Sequence, residues 1–252
     1  MRKNWVLASA VAVLIAAPAF AVTHKMPAFI DAAVSDSHRP AGDTALDAAR
    51  KPAEMMVLAK IKPGSKVMDL VPGGGYFTRL FAVAVGPKGY VYAYQPVEFD
   101  RFNKGDKPAI YATAADYANV SVIHAPLNDI AAPEALDTVW TAQNYHDFHD
   151  SFAKPGDVAT INKKVFDALK PGGLYVVLDH AAEKGSGLRD TETLHRIDEA
   201  AAKQEILAAG FKFVGRSSLL HNAADDRTKK VFDPAIRHHT DQFILIFRKP
   251  GK

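Results

Sequence analysis

Five short segments, residues 66–70, 90–94, 120–124, 136–141 and 174–178, are largely apolar on both faces that a strand would present. Such strands must be covered on both sides, which a parallel sheet sandwiched between helices achieves. Between the first two, Tyr76, Phe77, Leu80, Phe81, Ala84 and Val85 recur at helical spacing until Gly86-Pro87 ends the run. Residues 198–209 read as another helix, capped by Asp198 and stopped by Gly210. Two last strands are expected at 211–220 and 242–247. The pattern therefore predicts an α/β fold with a doubly wound, mostly parallel sheet of seven strands.

Composition narrows the possibilities. With 48% apolar residues, 14 Phe, 8 Tyr and 2 Trp, the chain can fill a core, which excludes intrinsic disorder. Its 252 residues allow one large α/β domain or two small ones. The absence of cysteine removes disulfide scaffolds, thiolate zinc sites, iron–sulfur ligation and cysteine nucleophiles.

The first residues read as an address. Arg2 and Lys3 precede an apolar run from Trp5 to Ala17, followed by Pro18 and Ala19-Phe20-Ala21. A positive start, a short apolar middle and an A-x-A end define a secretory signal peptide, cleaved after Ala21. The expected layout is a signal at 1–21, a helical extension at 22–61 and the main domain at 62–252. In the extension, Leu46, Ala49, Ala53, Met56 and Val57 form the expected apolar stripe. The run is too short to span a bilayer, and no later segment is long and apolar enough to do so. Removing Arg2 and Lys3 brings the net charge of +3 close to neutral, which argues against nucleic acid or an anionic membrane as partner. The expected destination is export, to the bacterial periplasm.

Ligands of a doubly wound sheet bind outside the carboxyl ends of its strands. Seven of the ten histidines, at 146, 149, 180, 195, 221, 238 and 239, fall on that rim. His146 is the first candidate for a general base and His180 the second, with Asp147 beside them, because an imidazole titrates near neutrality. Arg50, His195, Arg196 and Arg237 are candidate substrate contacts, the arginines suited to a carboxylate or phosphate. No metal ligand is assigned: His146 with His149, or His238-His239 beside Asp241, supply histidine and carboxylate donors but not the spacing of a known metal motif.

The most specific stretch runs from Val67 to Thr78, where Pro72-Gly73-Gly74-Gly75-Tyr76 separates a strand from a helix. Glycines there let a ligand approach the backbone, and the helix start offers free N–H groups. With Leu169-Lys170-Pro171-Gly172-Gly173 before the fifth strand and Ala209-Gly210-Phe211 after the last helix, the chain resembles the class I S-adenosylmethionine-dependent methyltransferases from 62 to 249. More narrowly, Arg50–Glu54, Pro72–Tyr76 and Asp233–Arg237 resemble a bacterial group of predicted methyltransferases that carry signal peptides. The resemblance implies a Rossmann-like methyltransferase fold and S-adenosylmethionine as cofactor. It places Asp69, Pro72, Gly73, Gly74, Gly75, Tyr76 and Asn144 against the cofactor, Gln95 at the ribose and Asp129 at the adenine. Val71 stands where the family commonly has its first glycine, and Gln95 where it has an acid.

The implied activity is methyl transfer to a small-molecule acceptor. Two other readings remain open: an exported protein that keeps the fold and binds a ligand without methyl transfer, and a metal-assisted enzyme using the rim histidines and aspartates.

Overall fold

In the computed structural model, which describes residues 25–154 and 156–251, seven strands form one sheet. They are β1 Lys66–Leu70, β2 Tyr90–Pro96, β3 Val120–Ala125, β4 Leu136–Ala142, β5 Leu169–His180, β6 Lys212–Ser217 and β7 Gln242–Arg248. The order is β3-β2-β1-β4-β5-β7-β6, with β7 antiparallel to both β5 and β6. The first five strands run parallel, as their two-faced apolar pattern requires. β6 stops three residues short of the expected run, at a sheet edge where Phe213 and Val214 are exposed.

Nine helices flank the sheet among the described residues: α1 Ala28–Val34, α2 Ala41–Thr44, α3 Asp47–Arg50, α4 Pro52–Leu58, α5 Tyr76–Val85, α6 Ile110–Ala115, α7 Val158–Ala168, α8 Thr191–Leu194 and α9 Glu199–Ala208. Alternate strand residues enter two cores, one on each face of the sheet. Val176 packs with Val67, Trp140 and the α1, α4 and α5 residues Ile30, Met56 and Phe81. Its neighbour Val177 packs on the opposite side with Val139, Ile161, Val165 and Ile206. The turns behave as expected at both helix ends: Gly86 caps α5 at φ 63°, and the Asp198 side chain accepts from the Ala200 N–H at the start of α9.

The extension at 22–61 differs from its expected stripe. Lys51 adopts a left-handed conformation (φ 46°) and Pro52 starts a new helix, so one helical phase does not run through the segment. Met55 joins Met56 in the core while Val57 turns outward. No helix of the described residues is long and apolar enough to cross a membrane. The expected signal, residues 1–21, lies outside the described residues.

The sheet order matters for function because β1 has β2 on one side and β4 on the other. The winding reverses there, and a crevice opens above the carboxyl ends of β1 and β4. The chain leaves those ends at Val71–Gly75 and at Gln143–Asp147.

Candidate functional site

The crevice holds two adjoining cavities. The first, of about 310 Å³, is lined by Asp69, Val71, Pro72, Gly73, Gly74 and Tyr76, by Asp43, Leu46 and Arg50 from the amino-terminal helices, and by Gln143 and Asn144 after β4. Its floor is the turn after β1, tied down by the Val71 N–H donating to Tyr94 O and by Asn144 Nδ2 donating to Val71 O (3.2 Å) and Ala142 O. Val71 itself has φ 61°, a strained conformation for a β-branched residue and the one a glycine would adopt freely.

The three glycines of the turn have different tasks. A Cβ on Gly73 or Gly74 would meet no atom within 4 Å, so both present open backbone. A Cβ on Gly75 would fall 2.7 Å from Thr113 Cγ2 and 2.9 Å from its Oγ1, at φ +85°. Gly75 does not line the cavity. It lets α5 begin against Thr113, whose hydroxyl donates to Gly74 O (3.0 Å) and accepts from Arg79 Nη2.

Charge in this cavity is unevenly matched. Asp69 is fully buried, and burial raises its pKa to about 7 against the opposing hydrogen bond from Thr78 Oγ1 (2.6 Å). Arg39 forms a two-pronged pair with Asp47, which also accepts from Tyr76 OH (2.6 Å). Arg79 pairs with Asp43 (2.8 Å). Arg50 lies 4.5 Å from the Tyr76 ring centroid and, among the described residues, makes no ion pair or hydrogen bond. Burial lowers its pKa, against the opposing pull of Tyr76 and of the Asp43, Asp47 and Asp69 carboxylates near it.

The second cavity, of about 510 Å³, shares Gln143 and Asn144 with the first and adds Phe99, Phe102, His146, Asp147, His180, His195 and Phe232. Here His146 donates its backbone N–H to Asp179 Oδ2 (2.7 Å), and its Nδ1 lies 2.8 Å from Asp179 Oδ1. Its Nε2 faces His195 Nδ1 at 3.3 Å and Asp147 Oδ1 at 3.2 Å. Burial alone would lower the His146 pKa, but Asp179 and Asp147 outweigh it and raise it to about 10. The two carboxylates thus favour the protonated ring, and Nε2 must give up that proton before it can act as the expected general base or bind a cation. Burial pushes Asp147 up, but hydrogen bonds to His146 and His195 leave its pKa lowered overall. His180 is pushed well below the usual imidazole value by burial and by His146, and its Nδ1 lies 2.8 Å from Thr240 Oγ1.

Several expected residues lie elsewhere. Gln95, next to the last residue of β2, is buried and lines neither cavity, and Glu98, three residues on, is occupied accepting from the Leu127 N–H. Asp129 is exposed on a 3-10 turn outside both cavities. Arg196 is fully buried, binding Ala181 O, Lys229 O and the Asp225 carboxylate (2.9 Å), so it braces loops and cannot reach a substrate. Arg237, His238 and His239 are exposed and line neither cavity, although His238 lies close enough to Arg50 to feel its charge. His149 turns to Glu205 and His221 to Asp241. The rim histidines thus converge only at 146, 180 and 195. Residues the sequence reading missed include Asp179, which fixes His146, and Gln143, Phe102 and Phe232 in the cavity walls.

With this geometry in hand, comparison places the fold. Solved structures similar to the chain include a SAM-dependent methyltransferase from Aquifex aeolicus, at 17% identity and TM-score 0.55, covering 83% of this chain and 98% of the other. An S-adenosylmethionine-dependent methyltransferase from Mesorhizobium loti shows 17% identity and TM-score 0.56, covering 81% and 99%. The [4+2]-cyclase SpnF shows 17% identity and TM-score 0.58, covering 81% and 82%. The fold is that of the class I SAM-dependent methyltransferases. No family model matches the sequence, and no curated protein matches it.

Proposed function

We propose that the chain is an S-adenosylmethionine-dependent methyltransferase acting on a small-molecule acceptor. The observation that carries the reading is Arg50, a guanidinium over the Tyr76 ring that makes no ion pair among the described residues and lines the same cavity as the open backbone of Gly73 and Gly74. The amino-acid end of the cofactor carries a carboxylate that matches Arg50, and the glycine turn gives it room. Bound there, the cofactor supplies an electrophilic methyl group on a sulfonium. The chain's own part is alignment: Asn144 and Val71 fix the floor, Tyr76 and Arg50 hold one wall, and the joined second cavity receives the acceptor. Methyl transfer needs chiefly this positioning.

The test is a calorimetric titration of the purified chain with S-adenosylmethionine. Arg50→Met keeps the apolar stem and removes the charge. Losing a charged hydrogen bond of about 1.5–3 kcal/mol weakens binding by tenfold or more. No heat at millimolar ligand, or an unchanged affinity in Arg50→Met, would sink the proposal.

One observation favours a second reading, ligand binding without methyl transfer. No acid lines the cavities at the end of β2, because Gln95 is buried and Glu98 is engaged. The structural similarity to a protein described as a [4+2]-cyclase fits the same reading. Binding of S-adenosylmethionine with no methyl transfer to any acceptor tried would support it.

A further inference from the structure

The donors around the second cavity converge too closely to be read only as a hydrogen-bonded chain. His146 Nε2, His195 Nδ1 and Asp147 Oδ1 form a triangle with sides of 3.2, 3.3 and 3.4 Å. An ion held tetrahedrally at about 2.0–2.1 Å from nitrogen and oxygen donors separates its ligands by about 3.3–3.4 Å, whereas adjacent octahedral donors sit about 2.9 Å apart. The three atoms already occupy one face of the tetrahedron.

Their surroundings favour an ion too. Metal-binding imidazoles are usually oriented by a carboxylate on the other ring nitrogen, and Asp179 plays that part for His146 from full burial. His195 is brought to the cluster by a left-handed turn (φ 55°) after α8, held by its N–H donating to Thr191 O. Asp150, buried one 3-10 turn after Asp147, has an Oδ1 with no hydrogen-bond partner. Two imidazoles and one carboxylate suit zinc and its first-row neighbours and disfavour magnesium or calcium, which take oxygen ligands.

We propose that His146, Asp147 and His195 bind one divalent transition-metal ion, with its remaining position open to the 510 Å³ cavity. Three protein ligands and an open place describe a site that takes a further donor from water or from a bound molecule, not a closed structural site. The set differs from the pairs visible in sequence spacing, because His149 pairs with Glu205 and neither His238 nor His239 lines this cavity. Metal binding is independent of the proposed methyl transfer, since it is measured without S-adenosylmethionine.

The experiment titrates the chelator-treated full chain with zinc(II) by calorimetry and with cobalt(II) by absorption. The expected result is one ion per chain and the cobalt spectrum of a four-coordinate site. His195→Asn removes the imidazole while tolerating the left-handed backbone, and should weaken zinc binding at least tenfold with an unchanged urea midpoint. Asp179→Asn, which replaces by a donor one of the two oxygens that accept from the His146 and His180 N–H groups and orient the His146 ring, should weaken it about 10–100-fold. His149→Ala, outside the cavity, should leave it unchanged. Absence of stoichiometric zinc, equal binding by wild type and His195→Asn, or loss of binding in His149→Ala would each overturn the proposal.

Discussion

Adjacent glycines in the turn after β1 should fail in opposite ways, and the contrast tests where the cavity lies. Gly75→Ala places a methyl 2.7–3.0 Å from three side-chain atoms of Thr113 at a left-handed φ of +85°. The conformation alone costs about 1–2 kcal/mol for a non-glycine residue. Displacing Thr113 also disturbs its bonds to Gly74 O and Arg79, each worth about 1 kcal/mol. The expected loss is about 2–4 kcal/mol, or roughly 5–15 °C in Tm for a domain of this size. A Cβ at Gly74 meets nothing within 4 Å and the residue carries no left-handed strain, so Gly74→Val should change stability by less than about 1 kcal/mol. Because Gly74 lines the 310 Å³ cavity, the added bulk should instead abolish binding of S-adenosylmethionine. Urea unfolding and calorimetric titration of both variants, side by side, give the answer. Unchanged stability in Gly75→Ala would refute the packing argument. Normal ligand affinity in Gly74→Val would refute the assignment of the cavity.

Two further predictions concern buried charge. Asp69 ionises in the folded protein only near pH 7, against an ordinary value of 3.8, so its contribution to stability is full below about pH 4 and is lost as pH rises through 7. That loss amounts to at most roughly 4 kcal/mol, and Asp69→Asn should flatten this part of the stability curve in urea titrations at pH 4 to 8 while still accepting from Thr78. Arg196→Met strands the buried Asp225 carboxylate and should cost about 3–5 kcal/mol in chemical denaturation; a substrate-contacting arginine would instead lose affinity at little cost in stability.

The sheet was legible because its signal is redundant: each parallel strand is apolar on two faces, and β1 and α5 are separated by an unmistakable glycine turn. The strand-end rule then pointed to the rim where the two cavities open, since Gly73, Gly74, Asn144, His146, Asp147, His180 and His195 all line them. It did not give direction. His195 and Arg196 are consecutive, yet one ring enters the cavity and the other side chain is buried against Asp225. Side chains three residues apart, His146 and His149, likewise part company, toward Asp179 and Glu205. What decides these directions is backbone that propensity does not encode. Val71, Gln143 and His195 are non-glycine residues at positive φ, and all three line a cavity. Such conformations cost of order 1–3 kcal/mol and survive only where tertiary contacts impose them. Asn144 imposes one by binding Val71 O, the bond from Gln143 N–H to Leu178 O imposes the second, and Thr191 O imposes the third. Sequence rules for local structure therefore fail at these three positions, which border the joined cavities to which the proposed cofactor and metal sites are assigned.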